Sequence, residues 1–259
     1  MIRILVFGDG RMAQCLLDVA FEYPDIEIVA QVSRTRRRGE RAGPPFFPSF
    51  EAAREQVGDG LDLVIDFTMP QGTLAAAHWC GEQRVALLSG VTGIGEKTHA
   101  ALDTAADSAP VLWAANLSFG INLMAGLLHD LGRVIDRDTA VTIEEVHHAG
   151  KQDAPSGTAL FLARHLSPPA EGASGTDPGR TAEDFPGMAF VSSRQGDVVG
   201  DHSVSLRMRD EVLTLSHHAA DRRLFARGAL EAGQWLAGKP PGRYSAADWI
   251  RSVAALKFK

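Results

Sequence analysis

Between Glu145 and Ala159 the chain reads Glu145-Val146-His147-His148-Ala149-Gly150-Lys151-Gln152-Asp153-Ala154-Pro155-Ser156-Gly157-Thr158-Ala159, bringing a pair of histidines, a lysine and a helix start into one short stretch. Each part has a use in chemistry on an acidic molecule. An imidazole titrates near working pH, and Lys151 can supply a point charge or a proton. Pro155, Ser156, Gly157 and Thr158 carry helix N-terminal signals, so the N–H groups and hydroxyls of Ser156 to Thr158 can clasp a carboxylate. If His147 and His148 lie in extended backbone, only one of them faces the site, because neighbouring strand residues point to opposite faces; a loop removes that limit. A histidine taken alone is more often a hydrogen-bonded filler. The argument for chemistry comes from the whole constellation.

A second constellation opens the chain. The apolar run Ile2–Phe7 leads into Gly8-Asp9-Gly10-Arg11-Met12-Ala13, which fits G-x-G-x-x-A at the mouth of a helix. Glycines there allow a sharp turn and close approach of a pyrophosphate, whose charge meets the N–H groups and dipole of the helix N-terminus. The strand before and the helix after favour dinucleotide binding over a bare glycine turn. In such folds an acid after the second strand bonds the ribose 2′-hydroxyl, but here Val32 is followed by Ser33-Arg34-Thr35-Arg36-Arg37-Arg38. A hydroxyl and guanidinium groups suit a 2′-phosphate, so Ser33 and Arg34 are candidate contacts and NADPH is favoured over NADH. Any single one of Arg36 to Arg38 reads better as part of a solvated loop.

Elements able to position these residues are legible in the apolar periodicity. Apolar runs at Ile2–Phe7, Glu27–Val32, Leu61–Asp66, Val85–Ser89 and Val111–Ala115 alternate with helical patterns at Arg11–Glu22, Gln71–Glu82 and Gly95–Ala106. Such runs, with little alternation of their own, predict a parallel sheet covered on both faces and hence a Rossmann-like, doubly wound α/β domain. Beyond Asn116 the pattern becomes helix at Ile121–Gly132, an alternating run at Thr139–Val146, a helix from Ser156, and strands near Met188–Ser193, His202–Arg209 and Glu211–His217. Val204, Leu206 and Met208 share one face of their strand, the mark of an open, half-buried mixed sheet in a smaller α+β domain. Pro168–Gly187 reads as a surface loop. Arg222–Leu236 reads as a helix with Leu224, Phe225, Ala229, Leu230 and Ala232 available for packing.

Bulk properties narrow the function. A chain with 45% hydrophobic and 22% charged residues is an ordinary globular one. A formal net charge of -6 argues against a nucleic-acid or anionic-membrane surface, so an anionic ligand must be held by local groups. Cys15 and Cys80 have neither disulfide nor zinc spacing and read as reduced thiols of a cytoplasmic protein. Met1 passes directly into an apolar strand without the features of an export signal. Val111 to Leu128 carries no charge and raises the question of a membrane span, but Asn116, Ser118, Gly120 and Asn122 interrupt it, predicting strand, loop and helix.

The stretch from Glu145 to Ala159 resembles the signature E-x-H-H-x-x-K-x-D-A-P-S-G-T-A of the 4-hydroxy-tetrahydrodipicolinate (dihydrodipicolinate) reductases. Further similar segments keep the family order: Gly8 to Met12, Asp66-Phe67-Thr68, Gly90-Val91-Thr92-Gly93, Ala114 to Asn122, Arg194 to His202, and Phe225 to Ala229. They span nearly the whole chain. The resemblance implies a dinucleotide-binding domain over residues 1–117, a substrate-binding and oligomerisation domain over 118–227, a C-terminal helix over 228–259 that returns to the first domain, and a homotetramer. It also implies His147 as the catalytic histidine and Lys151 as proton donor, with His148, Gly157 and Thr158 joining Ser156 around the substrate. Gly8, Asp9, Gly10, Arg11 and Met12 would contact the cofactor, together with Gly90, Val91 and Thr92 and with Ala114, Ala115, Asn116 and Leu117. The implied reaction is NAD(P)H reduction of hydroxytetrahydrodipicolinate, a small dicarboxylate, to tetrahydrodipicolinate with loss of water, in diaminopimelate and lysine biosynthesis. Departures from the family pattern are the shorter glycine loop ending in Ala13, the missing second-strand acid, Val91, His218 and Arg227.

Rival readings remain at this level. Another dehydrogenase of an amino or oxo dicarboxylate would explain the glycine loop but not the Lys151 to Ala159 run. A non-catalytic NADP-binding module predicts cofactor binding without turnover. Metal binding by His147, His148, His202, His217 and His218 has neither an H-x-x-x-H helix nor a cysteine pair behind it, so no metal site is expected.

Overall fold

Ile4, Leu5 and Val6 are all buried, so strand β1 (Ile2–Phe7) is covered on both faces. That is the burial a central parallel strand requires. The computed structural model of the chain describes residues 1–34, 43–136, 138–167 and 181–257, and only the backbone at 254–257. Thr35 to Arg38 and most of the expected loop 168–187 lie outside the described residues.

The chain divides into two compact units, Met1–Ser118 with Arg223–Lys259, and Phe119–Arg222. In the first, β1 is followed by α1 (Arg11–Val19), β2 (Ile26–Val32), β3 (Phe46–Phe47), α2 (Phe50–Val57), β4 (Leu63–Asp66), α3 (Pro70–Gln83), β5 (Ala86–Ser89), α4 (Glu96–Ala106) and β6 (Pro110–Trp113). The second unit holds α5 (Phe119–Leu131), β7 (Ala140–His147), α6 (Gly157–Leu166), β8 (Met188–Arg194), β9 (Gly200–Arg207) and β10 (Val212–Ala219). The chain then returns to the first unit as α7 (Arg223–Ala237), β11 (Gly242–Tyr244) and α8 (Ala246–Lys257).

The first unit carries a seven-stranded sheet in the order β11-β6-β5-β4-β1-β2-β3, all pairs parallel. Strand order reverses direction at β1, which lies between β4 and β2. Ligands of open α/β sheets sit at the carboxyl ends of the strands beside such a switch point. The second unit has a four-stranded sheet in the order β10-β9-β7-β8, with β7 and β8 parallel and the other pairs antiparallel. Val141, Ile143, Val204 and Leu206 point to one face, where they pack with Met124 and Leu128 of α5 and Leu162 and Leu166 of α6. The fold class read from the periodicity is the one present.

Particular elements differ from that reading. Met208 falls just past the end of β9, because Met208 N donates to Glu211 O in the turn to β10. A boundary at 227/228 would fall inside α7, and residues 228–259 form more than one helix. Lys239-Pro240-Pro241 stops α7, since proline lacks the N–H that a helix interior needs. Ser245 then starts α8 by reciprocal capping: Asp248 N donates to Ser245 Oγ at 3.3 Å, and Ser245 N to Asp248 Oδ2 at 2.9 Å. The short β3 with α2, and β11, carry too few residues to show a period. Cys80 is buried, Cys15 is half-buried, and both are free. Among the described residues no helix is long and apolar enough to cross a membrane.

Candidate active site

In the first unit the candidate cofactor residues cluster on loops leaving the carboxyl ends of β1, β2, β5 and β6. Gly8 has φ +123°, and a Cβ there would lie 2.8 Å from the Phe67 carbonyl oxygen, so only glycine fits the turn. Its N–H donates to Val32 O at 2.8 Å, and its carbonyl accepts from the buried Gln31 Nε2 at 2.8 Å. Asp9 and Gly10 complete the turn, and Arg11 and Met12 open α1. No side chain closes the Gly10 cap, which leaves first-turn N–H groups of the helix to meet an anion. A Cβ on Gly10 would meet nothing within 4 Å, so the protein itself leaves that spot open. Ser33 is buried and Arg34 exposed just after β2.

The loop after β5 is braced from below. Asp66, fully buried at the end of β4, accepts from Thr68 N at 3.0 Å and Thr68 Oγ1 at 2.5 Å, and from Thr73 Oγ1 at 2.6 Å and Ser89 Oγ at 2.9 Å. Burial still pushes its carboxyl above the ordinary range, with the Thr68, Thr73 and Ser89 hydrogen bonds opposing the rise. Ser89 Oγ in turn accepts from Val91 N at 3.4 Å, and Trp113 Nε1 donates to Val91 O at 2.7 Å. Val91, Ala114 and Leu117 are buried, so these positions offer backbone; Thr92 and Ala115 are exposed, and Gly90 and Asn116 half-buried.

In the second unit β7 ends at His147, which is buried, and His148 begins the following turn, half-buried, with Lys151 N donating to His148 O at 3.1 Å. Lys151 Nζ donates to Asp153 Oδ1 and Oδ2 at 2.8 and 2.7 Å. Arg194 braces this turn from β8: Nε donates to Lys151 O at 3.1 Å and Nη2 to Asp153 O. The helix mouth follows. Ser156 is the N-cap of α6, with Oγ accepting from Ala159 N at 3.1 Å. Its own N–H donates to Glu145 Oε1 at 3.0 Å, so the buried Ser156 underpins the mouth, while Gly157 is exposed and Thr158 half-buried. A Cβ on Gly157 would meet nothing within 4 Å.

Glu145, 2% exposed, is the hub of this unit's polar cluster. Oε1 also accepts from Ser192 Oγ at 2.7 Å and lies 3.5 Å from Arg194 Nη2. Oε2 lies 3.1 Å from His147 Nδ1, off the line of a full hydrogen bond, and 3.9 Å from His202 Nε2. The His147 and His202 rings meet edge to face at 5.0 Å, and His202 Nε2 is 3.3 Å from Ser156 Oγ. Burial raises the Glu145 carboxyl, but the hydrogen bonds from Ser156 and Ser192 and the nearby His147 bring it below its ordinary value. Burial, with Lys151 and Arg194, lowers His147 against the pull of Glu145. His202 is pushed down to about 4 by burial and by His147. Both imidazoles are therefore neutral at pH 7.

The profile of dihydrodipicolinate reductase, N-terminus, matches residues 2–117, and that of dihydrodipicolinate reductase, C-terminus, residues 120–250. The chain belongs to the dihydrodipicolinate reductase family. Its relatives include the 4-hydroxy-tetrahydrodipicolinate reductase of Alkalilimnicola ehrlichii, 36% identical over 95% of this chain and 97% of the relative. That of Xanthomonas campestris pv. campestris (strain B100) is 38% identical over 96% of this chain and 98% of the relative. Among solved structures, the dihydrodipicolinate reductase from Paenisporosarcina sp. TG-14 with dipicolinate bound superposes with a TM-score of 0.79 at 20% identity, covering 95% of this chain and 97% of that one, a likeness of fold.

Several supports in this member of the family escaped the sequence reading: Gln31, Asp66, Trp113, Glu145, Ser192 and Arg194, while His202 stood out only as a disfavoured metal ligand. Asp66, Glu145, Arg194 and His202 stood inside family-like segments, yet only folding shows whom they touch. Among the described residues, Glu145, His147 and His202 form the one group of three whose ligand atoms all lie within 4.8 Å of one another, a spacing a dication could span. The Arg194 guanidinium beside Glu145 and the ammonium of Lys151 oppose added positive charge there, and hydrogen bonding already accounts for Oε1. Of the other histidines singled out earlier, His218 pairs with Asp201 at 2.5 Å.

Proposed function

We propose that this protein catalyses the NAD(P)H-dependent reduction of 4-hydroxy-tetrahydrodipicolinate to tetrahydrodipicolinate, with release of water, in diaminopimelate and lysine biosynthesis. The observation that carries this reading is the polar cluster around Glu145, which brings His147, the Lys151 turn and the mouth of α6 together through hydrogen bonds and close charged contacts.

Bound NAD(P)H supplies the hydride; the glycine turn and the first turn of α1 hold its pyrophosphate. Ser33 and Arg34 favour NADPH, because they offer a hydroxyl and a guanidinium where an NAD-specific site offers a carboxylate. On the substrate side, the N–H groups at Gly157 and Thr158 and the field of α6 take a ring carboxylate, with His148 alongside. As negative charge develops on the conjugated imine, Lys151 protonates it, releasing its hold on Asp153, and His147 orients the ring. Atoms balance because the 4-hydroxyl leaves as water with a proton from the adjacent ring carbon, and the conjugated imine so formed gains one hydride from the cofactor and one proton from Lys151.

The protein works in the cytoplasm as a homotetramer. The sheet face of the second unit turned away from α5 and α6 supports this assembly, since it bears the exposed Val191 and Val212 beside a row of small hydroxyl residues including Ser203, Ser205, Thr214 and Ser216. Light scattering on the purified protein tests it. The reaction is tested by supplying pyruvate, aspartate semialdehyde and dihydrodipicolinate synthase and following oxidation of NADPH and NADH. Oxidation that needs an oxo acid with ammonia, and not the cyclic precursor, overturns the proposal.

A further inference from the structure

We infer that Glu145 is the positioning residue of this site: one buried carboxylate holds the His147 imidazole and the mouth of α6 in a common frame and dictates which ring nitrogen of His147 faces the ligand. The inference rests on the reaction proposed above. Glu145 and His147 lie two apart on β7, so their side chains share a sheet face. That face is apolar at Val141 and Ile143 and turns polar only at the strand end, beside Ser156. The two oxygens of Glu145 have separate tasks. Oε1 receives the Ser156 N–H and the Ser192 hydroxyl, fixing where α6 begins. Oε2 has no hydrogen-bond partner and stands 3.1 Å from Nδ1 of His147, which is likewise buried and without one.

Neutral imidazole carries a single N–H, and the nitrogen that bears it is set by what each nitrogen meets. A carboxylate oxygen can only accept, so the proton belongs on Nδ1, the nitrogen 3.1 Å from it. Nε2 then remains as a lone pair for the ligand. Gly200 leaves space beside that atom, since a Cβ there would come within 3.0 Å of His147 Nε2. The charged and titratable groups around His147 are Glu145 on its own strand, Lys151 and Asp153 on the next turn, Arg194 on β8 and His202 on β9. Of these, Glu145 is the one that places a carboxylate oxygen 3.1 Å from Nδ1.

Glu145→Gln tests this directly. The Ser156 N–H can only donate, so it holds the amide oxygen of the glutamine on its side and turns the NH2 toward Nδ1. The ring proton should move to Nε2. In the full-length protein with NADPH bound, 15N spectra of the histidine side chains should show His147 protonated at Nδ1 in the wild type and at Nε2 in the variant. Turnover of the cyclic substrate should fall roughly a hundredfold, the scale of a misplaced acid–base group, while the Kd for NADPH stays unchanged. Ser192→Ala, which removes one partner of Oε1 and leaves Oε2 alone, should lose only about threefold, a small fraction of that effect.

Wild-type His147 protonated at Nε2 overturns the inference without any variant, and so does a Glu145→Gln protein with wild-type kcat. An equal loss in Ser192→Ala does the same, because general loosening would then explain both. A wild-type protein that leaves NAD(P)H unoxidised with the cyclic substrate refutes the proposed reaction instead, and the ring protonation still decides the role of Glu145.

Discussion

His202 should make the second unit acid-sensitive by an amount that can be worked out. Its pKa falls from an ordinary 6.5 to about 4 on folding, chiefly through burial and then through His147. The unfolded chain therefore binds this proton more readily than the folded one, so stability rises with pH between those two values and is lost on acidification. Going from pH 7 to pH 5 should cost about 2 kcal/mol through this residue alone. Glu145, held below its ordinary 4.5, acts in the same direction but only at lower pH. His202→Gln keeps a polar group near Ser156 Oγ and cannot titrate, so its loss between pH 7 and 5 should be smaller than the wild type's by about that amount. All the tryptophans and tyrosines lie in the first unit, so intrinsic fluorescence would follow the wrong part of the molecule. Urea unfolding by far-ultraviolet circular dichroism, with hydrogen exchange of the β7 and β9 amides, is the proper readout. Equal pH sensitivity in wild type and variant would refute the reasoning.

Other substitutions separate chemistry from structure. Lys151→Ala should lower turnover by roughly a hundredfold or more while circular dichroism and Tm hardly move; full activity would remove it from the role of acid. Gly8→Ala should cost about 1–3 kcal/mol in urea unfolding, since it combines a φ of +123° with the nearby Phe67 carbonyl. Gly10→Ala should change stability by less than about 0.5 kcal/mol, its Cβ meeting no protein atom, yet weaken NADPH binding at least about tenfold by calorimetry if the pyrophosphate lies there. Arg34→Ala should reduce kcat/KM for NADPH about tenfold and leave NADH nearly unaffected; equal losses would show that it does not meet the 2′-phosphate. Dialysis against EDTA should leave the rate unchanged, since the Glu145, His147 and His202 cluster is read as a hydrogen-bond network; a loss restored by zinc would overturn that reading.

Legibility of the fold followed the length of the pattern. Long runs such as Ile2–Phe7 and Thr139–Val146 declare themselves because a strand buried on both faces and one buried on a single face need different residue orders. The pair Phe46–Phe47 and the triad Gly242–Tyr244 are strands only because parallel neighbours, β2 and β6, supply partners. Likewise, residues 228–259 looked like one helical tail, although Pro240 and Pro241 already carried the reason for its interruption.

The candidate site divides in the same way. Sequence alone determined which groups are available, because glycine turn, helix cap and titratable side chain are properties of residue type and short spacing: Gly8 and Gly10, Lys151, and Ser156 ahead of α6. It could not assign partners to Glu145. The Ser192 and Arg194 contacts come from β8, paired in parallel with β7, and the His202 contact from β9, paired antiparallel on its other side. Those neighbours are set by strand order, which depends on the burial of Val141, Ile143, Val204 and Leu206 beneath α5 and α6. The depressed pKa of His202 likewise arises from packing, since burial and a second imidazole are supplied only when distant segments meet.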